Sequence, residues 1–203
     1  MSRFVDRGAI TAAYVGIGMA VTIAISFLLV IPIEPIVWLL ALPAGLLIGY
    51  YANQRSDRRA GPWSRIVRNG VFAGLVTGIA VAVLLLGVKS IFFFADNGYP
   101  DFNRVDPKTG VAIPPACATG GDCVYSRYLA RDSAGDLAAA GVTDAATFGA
   151  FYWSTQFRTA GSMLVLTAVG GLGGAFLYGI SRPKASVAGG ARDTRPAAGG
   201  STG

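Results

Sequence analysis

The chain has 203 residues, 53% of them hydrophobic and only 14% charged, whereas a soluble domain carries about a quarter charged residues. It has no histidine and two cysteines, which excludes Ser-His-Asp and Cys-His hydrolysis, His-ligated haem, structural zinc and iron–sulfur clusters. The net charge of +6 is gathered at the ends of apolar runs, where sorting across a membrane accounts for it and nucleic acid is not needed.

Residues 8–31 form the first apolar run, preceded by Arg3 and Arg7 and long enough to span a bilayer. A positive start and an apolar core also describe a secretory signal peptide. This run is too long for one, and it ends in IPIEP in place of a small-residue cleavage site. It reads as a retained helix. Pro32 and Pro35, around Glu34, stop it and set the second span, 36–52, directly after it in a tight hairpin. Trp38, Tyr50 and Tyr51 stand as interfacial anchors of that span, and Pro43 inside it predicts a kink.

The stretch 53–69 carries Arg55, Arg58, Arg59, Arg65 and Arg68 against Asp57 alone, the pattern of a cytoplasmic loop. The third span, 70–94, covers about 37 Å as a helix, enough for a hydrocarbon core of about 30 Å. Lys89 is the one charge inside it. It either snorkels to the headgroups or serves as a counter-charge for an anionic lipid, a quinone or a partner's carboxylate.

Residues 95–158 hold seven Asp against five basic residues and are expected to form a small domain outside the membrane. The segment opens with turn-formers, DNGYPDFN and VDPKTGVA, in which Pro107 and Gly110 suit a tight turn. Its Asp and Asn residues do not follow the EF-hand spacing, so no metal is expected. Cys117 and Cys123 enclose ATGGD, a loop able to close as a disulfide in an oxidising compartment. CVYSRYLARD and GDLAAAG read as short helices. Thr143 reads as an N-cap, with Asp144 in the first turn of one long helix that runs into the fourth span, 160–180. Phe151, Tyr152 and Trp153 fall where that helix leaves the membrane, as an aromatic collar and a candidate contact for a partner or lipid. The basic, Gly/Ala-rich tail, 182–203, predicts no packed structure.

Small residues recur at four-residue spacing: Gly45 and Gly49, then Gly70, Gly74 and Gly78, then Gly170 and Gly174, with Ala12, Gly16, Ala20 and Ala24 in the first span. In lipid, helices associate through close backbone approach at such faces, which predicts a compact bundle. GMAV at Gly18 echoes GIAV at Gly78, and AGL at Ala44 echoes GGL at Gly170, the sign of a parallel repeat of two hairpins.

The expected fold is an all-α integral membrane protein, a bundle of four transmembrane helices with a small disulfide-containing domain between the third and fourth. The first three helices occupy 1–94, the outer domain 95–158, the fourth helix 159–181 and the tail 182–203, with both termini in the cytoplasm of a bacterial cell. No catalytic set and no cofactor site is legible. No acid lies inside a span, which argues against an ion-coupled carrier. The expected function is that of a non-catalytic accessory or assembly subunit of a cell-envelope membrane complex; the alternative is a small oligomeric transporter or channel. Its expected partners are membrane lipids and another membrane protein or a second copy of itself, not nucleic acid.

Overall fold

A computed structural model describes residues 4–29, 34–56, 61–95, 106, 108–111, 119–129 and 134–181, with the backbone alone over 26–29 and 34–39. Six helices follow in order: α1 (Arg7–Leu29), α2 (Glu34–Arg55), α3 (Trp63–Phe94), α4 (Gly121–Tyr128), α5 (Ala134–Ala139) and α6 (Ala145–Ile180). No strand occurs among the described residues. Three stretches are long and apolar enough to cross a membrane: Arg7–Ile25, Trp63–Phe94 and Ala145–Ile180. The expectations placed on the Trp38 side chain, Arg58 and Arg59, the turn-formers of 96–105, Pro107, Cys117 and the tail after Ser181 lie outside the described residues.

The predicted basic loop is largely helix. α2 runs on to Arg55, and α3 starts at Trp63, well before the expected residue 70. Pro62 stands at the α3 N-cap with φ −67°, which suits entry into a helix, and arginine is a good helix former. Charge on 63–69 therefore marks the end of the apolar span, not the end of the helix. The expected turn at Gly110 is present: its φ is +67°, its N–H donates to Asp106 O at 2.8 Å, and the Asp106 side chain accepts from Lys108 N at 2.8 Å.

The four long helices pack with defined directions. α1 and α3 are parallel, since Asp6 meets Asn69, Gly16 meets Thr77, and Ala24 shares a shallow apolar groove with Leu85 and Val88. α2 and α6 are parallel too: Gly45 lies against Thr167, Gly49 against Gly171, and Tyr50 edge-on to Tyr178 with ring centroids 5.5 Å apart. α3 and α6 are antiparallel, with Gly70 beside Ala175, Gly74 beside Gly171, and Phe93 on Tyr152 at 4.7 Å. α2 and α3 also touch each other, and α1 packs on α2 and α3. The helices that the sequence echo pairs, α1 with α3 and α2 with α6, thus lie side by side and point the same way.

The bundle has two chemically different ends. At the arginine end α1 and α3 begin and α2 and α6 finish. At the aromatic end α3 finishes, α6 begins, and α4 and α5 join them around buried Phe93, Val124, Leu137, Val142, Phe148 and Tyr152.

Candidate functional site

The middle of the bundle is closed by backbone contact. A Cβ placed on Gly70 would stand 2.6 Å from Gly171 O, one on Gly74 would stand 2.7 Å from Thr167 O and 3.1 Å from Gly171 Cα, and one on Gly170 would stand 3.0 Å from Gly45 Cα. Gly78 meets the Thr167 hydroxyl, Gly45 and Gly49 meet the carbonyls of Thr167 and Gly171, and Gly174 meets Leu46 O and Tyr50 N. All seven ladder glycines therefore touch another helix of the same chain. Gly171, which the ladder spacing passes over, is central: its Cβ would stand 2.5 Å from Gly70 O and 3.0 Å from Gly74 Cα. Its signal in the sequence was the doublet Gly170-Gly171. The fully buried hydroxyls at this level are satisfied within their own helices, Thr77 donating to Ala73 O and Thr167 to Met163 O, each at 2.9 Å. Thr77 and Thr167 therefore keep their hydroxyl protons within their own helices.

The aromatic end is built on α6. Gly141, at φ +77°, turns the chain out of α5, and Asp144 then caps α6. Asp144, not Thr143, holds the N-cap. Its Oδ1 accepts from Thr147 N at 2.8 Å while its own N–H donates to Thr147 Oγ1 at 3.1 Å, a reciprocal capping box closed by threonine. The hydrogen bond from the Thr147 N–H, followed by that from its hydroxyl, holds the Asp144 carboxyl below its ordinary pKa.

From that cap α6 runs for 36 residues without a break. Phe148 is 1% exposed and packs on Tyr125 and Tyr128 of α4, with centroids at 5.3 and 5.1 Å. One turn on, Tyr152, 3% exposed, lies against Phe93. Trp153 packs on Phe93 at 5.5 Å and stacks on Phe94 at 5.9 Å. Each such ring pair contributes about 0.5–1.5 kcal/mol beyond the area it buries.

The expected contact residues separate accordingly. Tyr152 belongs to the core, because it lies one turn from Phe148 on the face that meets α3 and α4. Trp153 is half-buried, and Phe151, about 100° round α6 from Tyr152, is 37% exposed. Lys89 is 5% exposed, on the buried face of α3. The antiparallel register from Gly78–Thr167 to Phe93–Tyr152 sets Lys89 level with Gln156, which is also buried at 7%. On α4, Cys123 and Arg127 share the buried face, 5% and 6% exposed. Gln156 and Arg127 escaped the sequence reading; a lone glutamine deep in an apolar helix was the available signal for the first. Among the described residues no group of three metal-ligating side chains occurs.

Compared with protein-family models, with curated proteins and with solved structures, the chain matches none.

Proposed function

We propose that this chain is a non-catalytic subunit of the bacterial cytoplasmic membrane, of four spans, that attaches to another membrane protein through its aromatic end. In this reading α2 is the fourth span, both termini and the α2–α3 connection are cytoplasmic, and 95–158 lies outside with a Cys117–Cys123 disulfide. The observation that carries it is the division of labour along α6. About 54 Å of unbroken helix is far more than a hydrocarbon core of about 30 Å needs. One part is locked glycine-to-backbone into the bundle, and the other packs through rings on the end of α3 and on α4 and leaves Phe151 exposed. A closed bundle centre supports a scaffold over a conduit.

The topology is tested by Ser64→Cys and Thr109→Cys in a background lacking the native cysteines. An impermeant thiol reagent should label Thr109→Cys in intact cells and Ser64→Cys only after lysis. Attachment is tested by Phe151→Ala in the full chain: insertion should be unchanged and recovery of the copurifying membrane protein should fall several-fold, as for an interface anchor. Solute movement by the purified protein alone in liposomes would overturn the reading in favour of transport.

A further inference from the structure

At the arginine end the residues before α1 lie over the first turns of α3. The Asp6 N–H donates to Asn69 Oδ1 at 3.2 Å, Asn69 Nδ2 donates to Asp6 Oδ2 at 2.7 Å, and Arg65 approaches Asp6 Oδ1 at 3.7 Å. That carboxylate is therefore engaged by a cation and an amide. Arg68, one turn beyond Arg65, stands differently. Its guanidinium carbon lies 5.1 Å from the centre of the Phe4 ring, no carboxylate pairs with it among the described residues, and its Nε is buried without a hydrogen bond. Phe4 is 70% exposed, so the pair is at the surface. Arg7 and Arg55 are exposed at the same end, brought together by the contact of Gly8 with the Arg55–Ser56 backbone.

Four arginines thus lie at one end of the bundle, where the spans of α1 and α3 begin, and of these Arg65 is the one paired with Asp6. Trp63, 44% exposed and 5.8 Å from Phe176, sits at the same level, as an interfacial aromatic does. We propose that this end binds the phosphate of an anionic phospholipid headgroup, with Arg68 as the principal ligand and Phe4 as the residue that positions it. The chemistry fits. A guanidinium presents paired N–H donors to phosphate oxygens, and stacking on a ring fixes its plane without using those donors. Basic sites at the ends of spans take lipid headgroups because the phosphates lie there. A soluble phosphate shares the charge but lacks the acyl chains that would bring it to this depth. The site belongs to the membrane-embedded bundle and does not depend on the attachment proposed for the aromatic end, so either can fail alone.

The test uses the full-length protein in phosphatidylcholine nanodiscs, titrated with a short-chain phosphatidylglycerol and followed by Trp fluorescence and by native mass spectrometry of retained lipid. Phosphatidylglycerol should be retained at least about tenfold over phosphatidylcholine, and Arg68→Gln should remove most of that preference. Arg68→Lys keeps the charge and loses the fork, so about a threefold loss is expected. Phe4→Leu should fall between wild type and Arg68→Gln, with an unchanged melting temperature. Equal retention of the two lipids, or an unchanged preference in a folded Arg68→Gln or Arg68→Lys protein, overturns the proposal. So does inorganic phosphate that competes at the same concentration as the lipid, since the ligand is then a free anion.

Discussion

The α3–α6 pair is held in two different ways along its length. From Gly70 to Gly78 the two backbones touch each other with almost no side chain between them. From Leu85 to Phe93 the contact passes to large groups, ending in the tilted ring pair Phe93–Tyr152 between the helices. In lipid, helices gain nothing from hiding apolar surface from each other, so the first zone depends on shape and tolerates no added volume. At the second, the gain comes from ring geometry and from apolar area shared with α4 and α5, and lost volume is the danger. One region fails by overfilling and the other by emptying.

The largest effect is expected where volume is added at the closed zone. Gly171 faces α3 on one side and the Gly49 region of α2 on the other, so Gly171→Leu cannot be absorbed by moving a single neighbour. Overpacking typically costs 1–3 kcal/mol, and a side chain driven into the α3 backbone from a helix held on its other side by α2 belongs at the upper end, about 3 kcal/mol. Gly173, two positions on, has open space where its Cβ would stand, with nothing within 4 Å, and Gly173→Leu should leave the melt nearly unchanged. Thermal unfolding in mild detergent separates the two. Similar melting temperatures would mean that the bundle is not closed at Gly171.

Next comes emptying the second zone. Phe148→Ala removes the ring under Tyr125 and Tyr128, and truncation of a buried Phe costs about 3–5 kcal/mol. The loss should be local, because α4 packs mainly on α6 near this ring and not on the glycine seam. Hydrogen exchange should rise across Gly121–Tyr128 while the amides of α3 around Gly74 stay protected. A uniform rise in exchange would show that the two zones unfold as one unit.

Much of this contrast was legible in the sequence. The glycine spacings mark the close faces, the absence of a breaker marks α6 as one helix, and α4 and α5 were readable as short helices. The misses share a cause: a spacing rule describes one face at a time. The ladder Gly170 and Gly174 serves α2, while its neighbour Gly171 serves α3, so a helix lodged between two partners needs two registers that a single period does not show. The burial of Lys89 was not legible in its charge: its position i+4 from Leu85 and i−4 from Phe93 keeps it on the packed face. The start of α3 was missed for the same reason, since Arg65 and Arg68 end an apolar span without ending a helix.

The smallest effect is expected at the cap of α6, and it is also the one that pH can switch. Asp144 is fully exposed, so its contribution is local and screened, and the bundle below it should not respond. Its carboxylate accepts from the Thr147 N–H at 2.8 Å, which favours the ionised form and lowers its pKa in the folded chain. The sign follows from that direction. The unfolded chain, with an ordinary aspartate near 3.9, takes up its proton first, so the cap is fully stabilising above that pH and is lost as pH falls through the lower folded value. Asp144→Asn keeps a capping oxygen and removes the titration; Asp144→Ala removes both. At neutral pH, exchange of the first-turn amides of α6 should therefore order Ala fastest and wild type slowest. On acidification the wild type should approach the Asn variant, whose own rates should change only through the chemistry of exchange. A wild-type cap as insensitive to acid as the Asn variant would show that Thr147 alone, through its hydroxyl to the Thr143 and Asp144 N–H groups, fixes the start of the helix.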